Sequence, residues 1–271
     1  MADNDETKQK AKPRGSTAVE FLSHLRPVGR VFVLTAIPAE GGATTTRTFT
    51  DLEEARQFII RYNDRRYNIY YTSALCAAAM NSKPRKTDIS AACYLHVDVD
   101  PGPSETPEQC KARMLAKIKD FQPAPTFIID SGNGLQFLWE LEAPVEITSQ
   151  DVCGDIEARN RALARALGGD LSAFNIDRIL RVPGTRNYPN KKKRELGRTE
   201  CQAEYLSCND VAHPLSAFPT HEDTASEDDA ADRDESGSGY GFRFMADCKR
   251  RGLSYSAACE AILADTGKAG E

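Results

Sequence analysis

With 271 residues, 40% of them hydrophobic and 28% charged, the chain has the composition of a globular protein and the length of one large domain, alone or with an appendage. It has no signal-peptide pattern and no apolar run of about 18 residues, and its eight cysteines include no CxxC pair, so the reading is a cytoplasmic protein with reduced thiols and no membrane partner. The formal charge of −5 conceals an asymmetry: residues His221 to Glu235 carry −7, which leaves +2 on the remainder, a balance that permits a nucleic-acid partner without demanding one.

Residues 1–16 lack apolar periodicity and read as a disordered leader, and folding is expected to begin near Thr17. Arg30 to Ile37 and Thr45 to Thr50 read as strands. Thr50 can cap a helix from Asp51 to Asn63 with Leu52, Ala55, Phe58 and Ile59 on one face, and Tyr67 to Thr72 reads as a third strand. Tyr94 to Asp100 alternates strictly, which places Leu95, Val97 and Val99 on the core side and His96, Asp98 and Asp100 on the other. A helix follows, with Thr106 as cap, Pro107 in the first turn, Gln109 at the capping-box position and a stripe of Met114, Leu115, Ile118 and Phe121.

Thr126 to Ser131 and Leu135 to Leu141 form a hairpin in which Asn133-Gly134 is the turn signal. That turn would pair Gly132 with Leu135 and Ser131 with Gln136. Thr148 to Leu167 reads as a helix closed by Gly168-Gly169, Ile179 to Val182 as a strand, and Gln202 to Leu206 as another. One large domain is therefore expected over 17–219, an acidic linker over 220–239, and a small helical tail over 240–271 with helices at Phe242 to Arg251 and Ser254 to Leu263. Cys201, Cys208 and His213 fit no common zinc spacing and lack a fourth ligand, so they read as unrelated residues.

Chemistry concentrates at three places. Two aspartates one residue apart on a strand point the same way, about 6.5 Å apart at Cα, and their carboxylates suit a hard cation such as Mg2+ or Mn2+. Ser131, Gln136 and the amides of the Gly132-Asn133-Gly134 turn are neutral donors that can hold phosphate oxygens; an ordinary polar hairpin tip is the plain alternative. Arg178 and Arg181 can reach a triphosphate or bridge surface carboxylates. Arg186 and Lys191-Lys192-Lys193-Arg194 suit a nucleic-acid backbone, or form a solvated loop.

Taken in order, the Asp98-Val99-Asp100 strand, the Ser131-to-Trp139 hairpin (SGNGLQFLW) and the later Arg178-to-Asn187 segment (RILRVPGTRN) resemble the archaeo-eukaryotic primase superfamily, especially primase-polymerases of plasmids, phages and other mobile elements. The resemblance spans about Arg30 to Asn187. It implies an α+β fold, an RRM-like catalytic sheet packed with an N-terminal α/β module, to which the small C-terminal helical part is appended. It also implies template-directed nucleotide transfer with two divalent ions. Asp98 and Asp100 match the first motif as metal ligands, and Gln136 stands where the second usually has histidine. The family's spacing to the second arginine, Arg181, selects Asp170 as third acid, with Asp177 as fallback. The resemblance further implies nucleotide contacts from Ser131, Gly132, Asn133, Gly134, Gln136, Arg178, Arg181 and Asn187. Nucleic-acid contacts would come from Lys83, Arg85, Lys86, Arg186, Lys191, Lys192 and Lys193. The implied partners are a single-stranded DNA template, nucleoside triphosphates and a helicase domain or partner. Two other classes fit the same residues: a non-catalytic single-strand-binding relative, and a metal-dependent phosphodiesterase or cyclase. His96 reads as a packed neutral histidine rather than a ligand, because magnesium disfavours imidazole.

Overall fold

The computed structural model describes residues 15–25 and 31–220. The leader before Gly15, the linker beyond Thr220 and the helical tail lie outside the described residues. In chain order the elements are α1 (Ser16–His24), β1 (Phe32–Pro38), β2 (Thr45–Phe49), α2 (Leu52–Asn63), β3 (Tyr67–Thr72), β4 (Leu75–Cys76), β5 (Ile89–Val99), α3 (Pro107–Lys119), β6 (Phe127–Asp130) and β7 (Leu135–Glu146). They continue with α4 (Gln150–Leu167), β8 (Ile179–Arg181), β9 (Arg186–Asn187), α5 (Lys191–Glu195), β10 (Cys201–Gln202), β11 (Glu204–Cys208) and β12 (Ala212–His213).

Two sheets face each other. The first, of order β2-β1-β3-β8, is antiparallel throughout; the second, of order β11-β6-β7-β5-β4, carries β12 as a short parallel addition on β7. The α+β class and the RRM-like sheet with its N-terminal module are thus the observed architecture. Alternation along β5 sorts its side chains as expected. Leu95, Val97 and Val99 join Leu135, Phe137 and Trp139 of β7 in a core covered by α3 and α4. The opposite face is not the polar surface that the sequence suggested. Tyr94, Leu138, Phe127 and Ile129 pack there against Leu34, Ile69, Tyr71 and Leu180 of the first sheet, together with α1 and α2. The aspartates therefore look into a cleft between two layers.

Local signals account for most helix ends. Thr106 and Gln109 make the reciprocal capping box of α3, and Ser149 accepts from Val152 N at the start of α4. Three details depart from expectation. Asp51, not Thr50, caps α2, because its carboxylate accepts from both Glu53 N and Glu54 N. The buried stripe of α3 is Cys110, Met114 and Ile118, spaced four apart, and this leaves Leu115 exposed. The basic run at Lys191 is the helix α5, capped by Asn190, not a loop. Helix α1, which begins inside the supposed leader, was invisible to periodicity, although Ala18, Phe21 and Leu22 are wholly buried.

The strand after α4 leaves the second sheet. Instead of pairing beside β5, β8 joins β3 of the first sheet, and the open edge near the end of β5 is met by the Asn160 side chain at His96 N and by backbone at Asp98 O, to which Asp170 N donates at 2.8 Å. On the other flank the turn between β6 and β7 presses against the same strand end. A Cβ on Gly134 would lie 2.1 Å from Val99 O, well inside contact distance. Gly134→Ala is therefore expected to cost roughly 1–3 kcal/mol in urea unfolding through overpacking against backbone. Gly154→Ala in α4, where nothing lies within 4 Å, should instead stabilise by up to about 1 kcal/mol.

Candidate active site

Asp98 ends the alternating face of β5, paired across the sheet with Gln136 of β7. Its side chain is 19% exposed, whereas that of Asp100, just past the strand, is 50% exposed. Burial raises the Asp98 carboxyl above the ordinary aspartate value, and the neighbouring Asp100 adds to this, while Arg178, Gln136 and Lys193 oppose it. Asp170 lies in the turn after α4, where its Oδ1 accepts from Ser172 N and Ser172 Oγ and so fixes the turn. The other oxygen, Oδ2, is 3.9 Å from Arg178 Nη2, and the same nitrogen is 3.6 Å from Asp98 Oδ2. Asp98 and Asp170 thus converge on one positive charge. Asp177 does not join them; its electrostatic neighbour is Cys153 of α4.

Gln136 is held at both ends of its amide. Nε2 donates to Asp98 Oδ1 at 3.3 Å, and Oε1 accepts from the backbone N of Arg181 at 3.1 Å. Arg181 on β8 is 7% exposed and points to neutral partners: Asn68 Oδ1 at 2.6 Å, Tyr70 OH at 3.1 Å and Asn187 Oδ1 at 3.0 Å, with the Tyr70 ring 4.6 Å from its guanidinium carbon. None of these is a carboxylate, and Nε has no partner among the described residues. Asn68 and Tyr70 had not been singled out in the sequence; the period-two spacing of Tyr67 to Thr72 places them on one face, but the pairing of Tyr70 with Arg181 across β3 and β8 is visible only in the fold. Beside Arg181 lies a cavity of about 460 Å³, bordered by Tyr70, Asn187, Lys191, Lys192 and Lys193. Lys193 also reaches Asp100 Oδ2 at 3.3 Å and so joins the cationic cavity to the carboxylates.

The hairpin sits differently from its expected register. Asp130 pairs with Leu135 and Ile129 with Gln136, so Ser131 to Gly134 form a four-residue turn in which Ser131 N donates to Gly134 O. Asp130 drives this by accepting from Gly132 N, while Lys111 clamps both Asp130 Oδ2 and Gly132 O. Ser131, Gly132, Asn133 and Gly134 are all buried, with Asn133 on Cys201 Sγ and Ser131 O accepting from Asn187 Nδ2. The turn is thus packed against Lys111, Cys201 and Asn187 rather than exposed.

The basic residues divide into two groups. Lys83, Arg85 and Lys86 precede β5, at the end of that strand away from the aspartates, and Lys86 is committed to Glu157 of α4 at 2.7 Å. Arg186 is exposed next to Asn187, and Lys191 and Lys192 line the cavity rim. His213 Nε2 is occupied by Ala124 O at 2.8 Å, away from any partnership with Cys201. Among the described residues no three His, Cys, Asp or Glu side chains are gathered into a group able to hold a metal ion, and no helix is long and apolar enough to cross a membrane.

No protein-family model and no curated protein matches the chain. Among solved structures, the AEP domain of the cyanophage S-2L primase-polymerase superposes with a TM-score of 0.53 at 15% identity, over 75% of this chain and 97% of that one. The chain has the archaeo-eukaryotic primase fold. The catalytic domain of primase RepB′ with initiator DNA is also similar, at a TM-score of 0.49 and 14% identity over 74% of this chain and 88% of that one.

Within this primase fold His96 is sealed beneath the site. Its Nε2 donates to Ala173 O at 2.9 Å, its Nδ1 faces Asn160 Nδ2, and Asn160 Oδ1 accepts from His96 N. Burial lowers its pKa to about 4, opposed by the Ala173 hydrogen bond and assisted by Arg178. A histidine with a depressed folded pKa contributes stability that is complete above the unfolded value of about 6.5 and is lost as pH falls towards 4. Urea unfolding is expected to show a loss of about 2 kcal/mol from this group between pH 7.5 and pH 5. His96→Gln should remove that slope.

Proposed function

We propose that the chain is a template-directed nucleotidyltransferase, a DNA primase or polymerase that acts with Mg2+ or Mn2+. The observation that carries this reading is the amide of Gln136, one end on the Asp98 carboxylate and the other on the backbone of a buried arginine that has no carboxylate partner. A buried, unpaired guanidinium is costly unless an anion completes it. A triphosphate would supply that anion, and Arg181 with Lys191, Lys192 and Lys193 borders a cavity of about 460 Å³ beside it.

The carboxylates suit the metal by donor chemistry, since Asp98, Asp100 and Asp170 offer only hard oxygens and two of them already converge on the charge of Arg178. When bound, the divalent ion supplies charge neutralisation at the phosphates and acidifies the attacking 3′-hydroxyl. The chain's own groups bind and orient. Arg181 and Lys193 take phosphate oxygens, Gln136 keeps the Asp98 carboxylate turned towards them, and Asn187 braces Arg181 against the hairpin. Arg186, Lys191 and Lys192 lie on the rim as contacts for a single-stranded template backbone.

Gln136 favours a second reading, a single-strand-binding relative with little synthesis, because an amide donates a hydrogen bond but carries no positive charge. Incubation with single-stranded template, Mn2+ and labelled nucleotides, with and without primer, separates the two. Synthesis in either arm supports transfer; DNA binding with no synthesis in both arms supports the second reading. If transfer holds, the Asp98→Ala/Asp100→Ala double variant should lower synthesis by at least about 10²–10³-fold while its far-ultraviolet spectrum stays unchanged. Arg181→Lys should raise the nucleotide KM by about tenfold, since an ammonium cannot reproduce the guanidinium fork.

A further inference from the structure

The segment 170–178, between α4 and β8, has neither helix nor strand, yet buried side chains hold its backbone at three successive points. Asn160 of α4, 1% exposed, uses both ends of its amide: Oδ1 accepts from His96 N of β5 at 3.0 Å, and Nδ2 donates to Phe174 O at 3.0 Å. Glu157, three residues earlier on α4 and also buried, accepts from Ile176 N at 3.1 Å. His96 Nε2 takes the third point, Ala173 O. Arg161, on the same side of α4, stands over the ring of Phe174 with its guanidinium carbon 3.5 Å from the ring centre. Buried polar groups must find partners, and here the polar face of a core helix finds them along one irregular segment.

That segment begins with Asp170 and ends with Arg178. We propose that Asn160 and Glu157 are positioning residues for the metal site: they set where the Asp170 carboxylate stands relative to Asp98, and they touch neither ion nor nucleotide. The inference rests on the assignment of Asp170 to the metal under the proposed function. Direct contacts join the two ends of the path. Asn160 fixes Phe174 and His96 fixes Ala173; the next residue back, Ser172, ties Asp170 Oδ1 through both its N–H at 2.8 Å and its hydroxyl at 2.7 Å. The same Asn160 amide holds β5 two residues before Asp98, so one side chain spans from the strand that carries the first acid to the segment that carries the third. Both residues are buried away from solvent, which keeps them from contacting a ligand themselves. Groups that orient metal ligands from behind typically govern metal affinity by about 10–100-fold. Neither residue stands out in the sequence, because their partners are backbone atoms 14 and 19 positions away.

The test is the Mn2+ affinity of the full chain, read from the electron paramagnetic resonance signal of free Mn2+, a measurement that needs no synthesis. Asp170→Ala is expected to weaken Mn2+ binding about tenfold, and Asn160→Leu, which keeps the shape without the hydrogen bonds, by about the same factor. The two combined should weaken it no further than Asp170→Ala alone, because Asn160 acts through that carboxylate; a residue that only supports the fold would add its own loss. Glu157→Met, which strands Ile176 N, should behave like Asn160→Leu, whereas Glu157→Gln, which retains the accepting oxygen, should stay within about twofold of the wild type. If Asn160→Leu fails to fold, the Glu157 pair, alone and combined with Asp170→Ala, decides the matter. The proposal is overturned if the folded Asn160→Leu or Glu157→Met variant binds Mn2+ as tightly as the wild type, if their losses add to that of Asp170→Ala, or if Glu157→Gln is as weak as Glu157→Met. It is equally overturned if the wild type binds Mn2+ no more tightly than Asp170→Ala. Template-directed synthesis is measured separately: its absence from a wild type that shows this Mn2+ pattern would sink the transferase reading and leave the positioning of Asp170 standing.

Discussion

Gln136 Nε2 rests on Asp98 and Gln136 Oε1 receives the amide of Arg181, so one side chain spans the gap between two sheets at the point where opposite charges must be kept near each other but apart. Asp98 belongs to the second sheet and Arg181 to the first, and no covalent or ladder hydrogen bond joins those sheets there. An amide suits this post because it has a donor and an acceptor that do not exchange with pH. A protonated imidazole would present two donors and leave the Arg181 N–H facing one of them. The residue that departs from the primase pattern thus serves geometry, bridging the carboxylate of Asp98 and the backbone of Arg181.

Around that bridge each acidic group already has a positive neighbour. Arg178 stands between Asp98 and Asp170, and Lys193 stands over Asp100. The exception runs the other way, since Arg181 is the cation surrounded by neutral oxygens. Charge therefore accumulates on the cavity side and is neutralised on the carboxylate side.

What the sequence revealed and what it concealed divide along the range of the interactions. The capping box at Thr106, the glycine stop after Leu167 and the alternation of β5 are set by residues within a few positions of each other, and all three are present in the fold. The hairpin register differs from the expected one by two residues because Asp130 and Lys111, far apart in sequence, decide it together. The second buried face of β5 and the burial of Arg181 were out of reach for a stronger reason. Periodicity states which residues share a face, but not which element covers it, and β8 crosses to another sheet. Asp170 could be named only through its spacing to Arg181, and it meets Asp98 because Arg178 lies between them.

The end of β5 is gripped from both flanks where side chains are missing. Gly134 comes up to Val99 O, and Gly169 lies against Val97 Cγ1 and Asp98 O, with Asp170 N bonded to the latter. Apart from Val97 Cγ1 these contacts involve main-chain atoms, which every sequence possesses, so they do not depend on most side chains nearby. The position of the two aspartates is thereby insulated from drift elsewhere in the chain. The fold superposes on the phage primase-polymerase domain although only 15% of the residues are identical. The same insulation makes loop length the unforgiving variable, since one inserted residue beside either glycine would shift the strand end, which no change of side chain can restore.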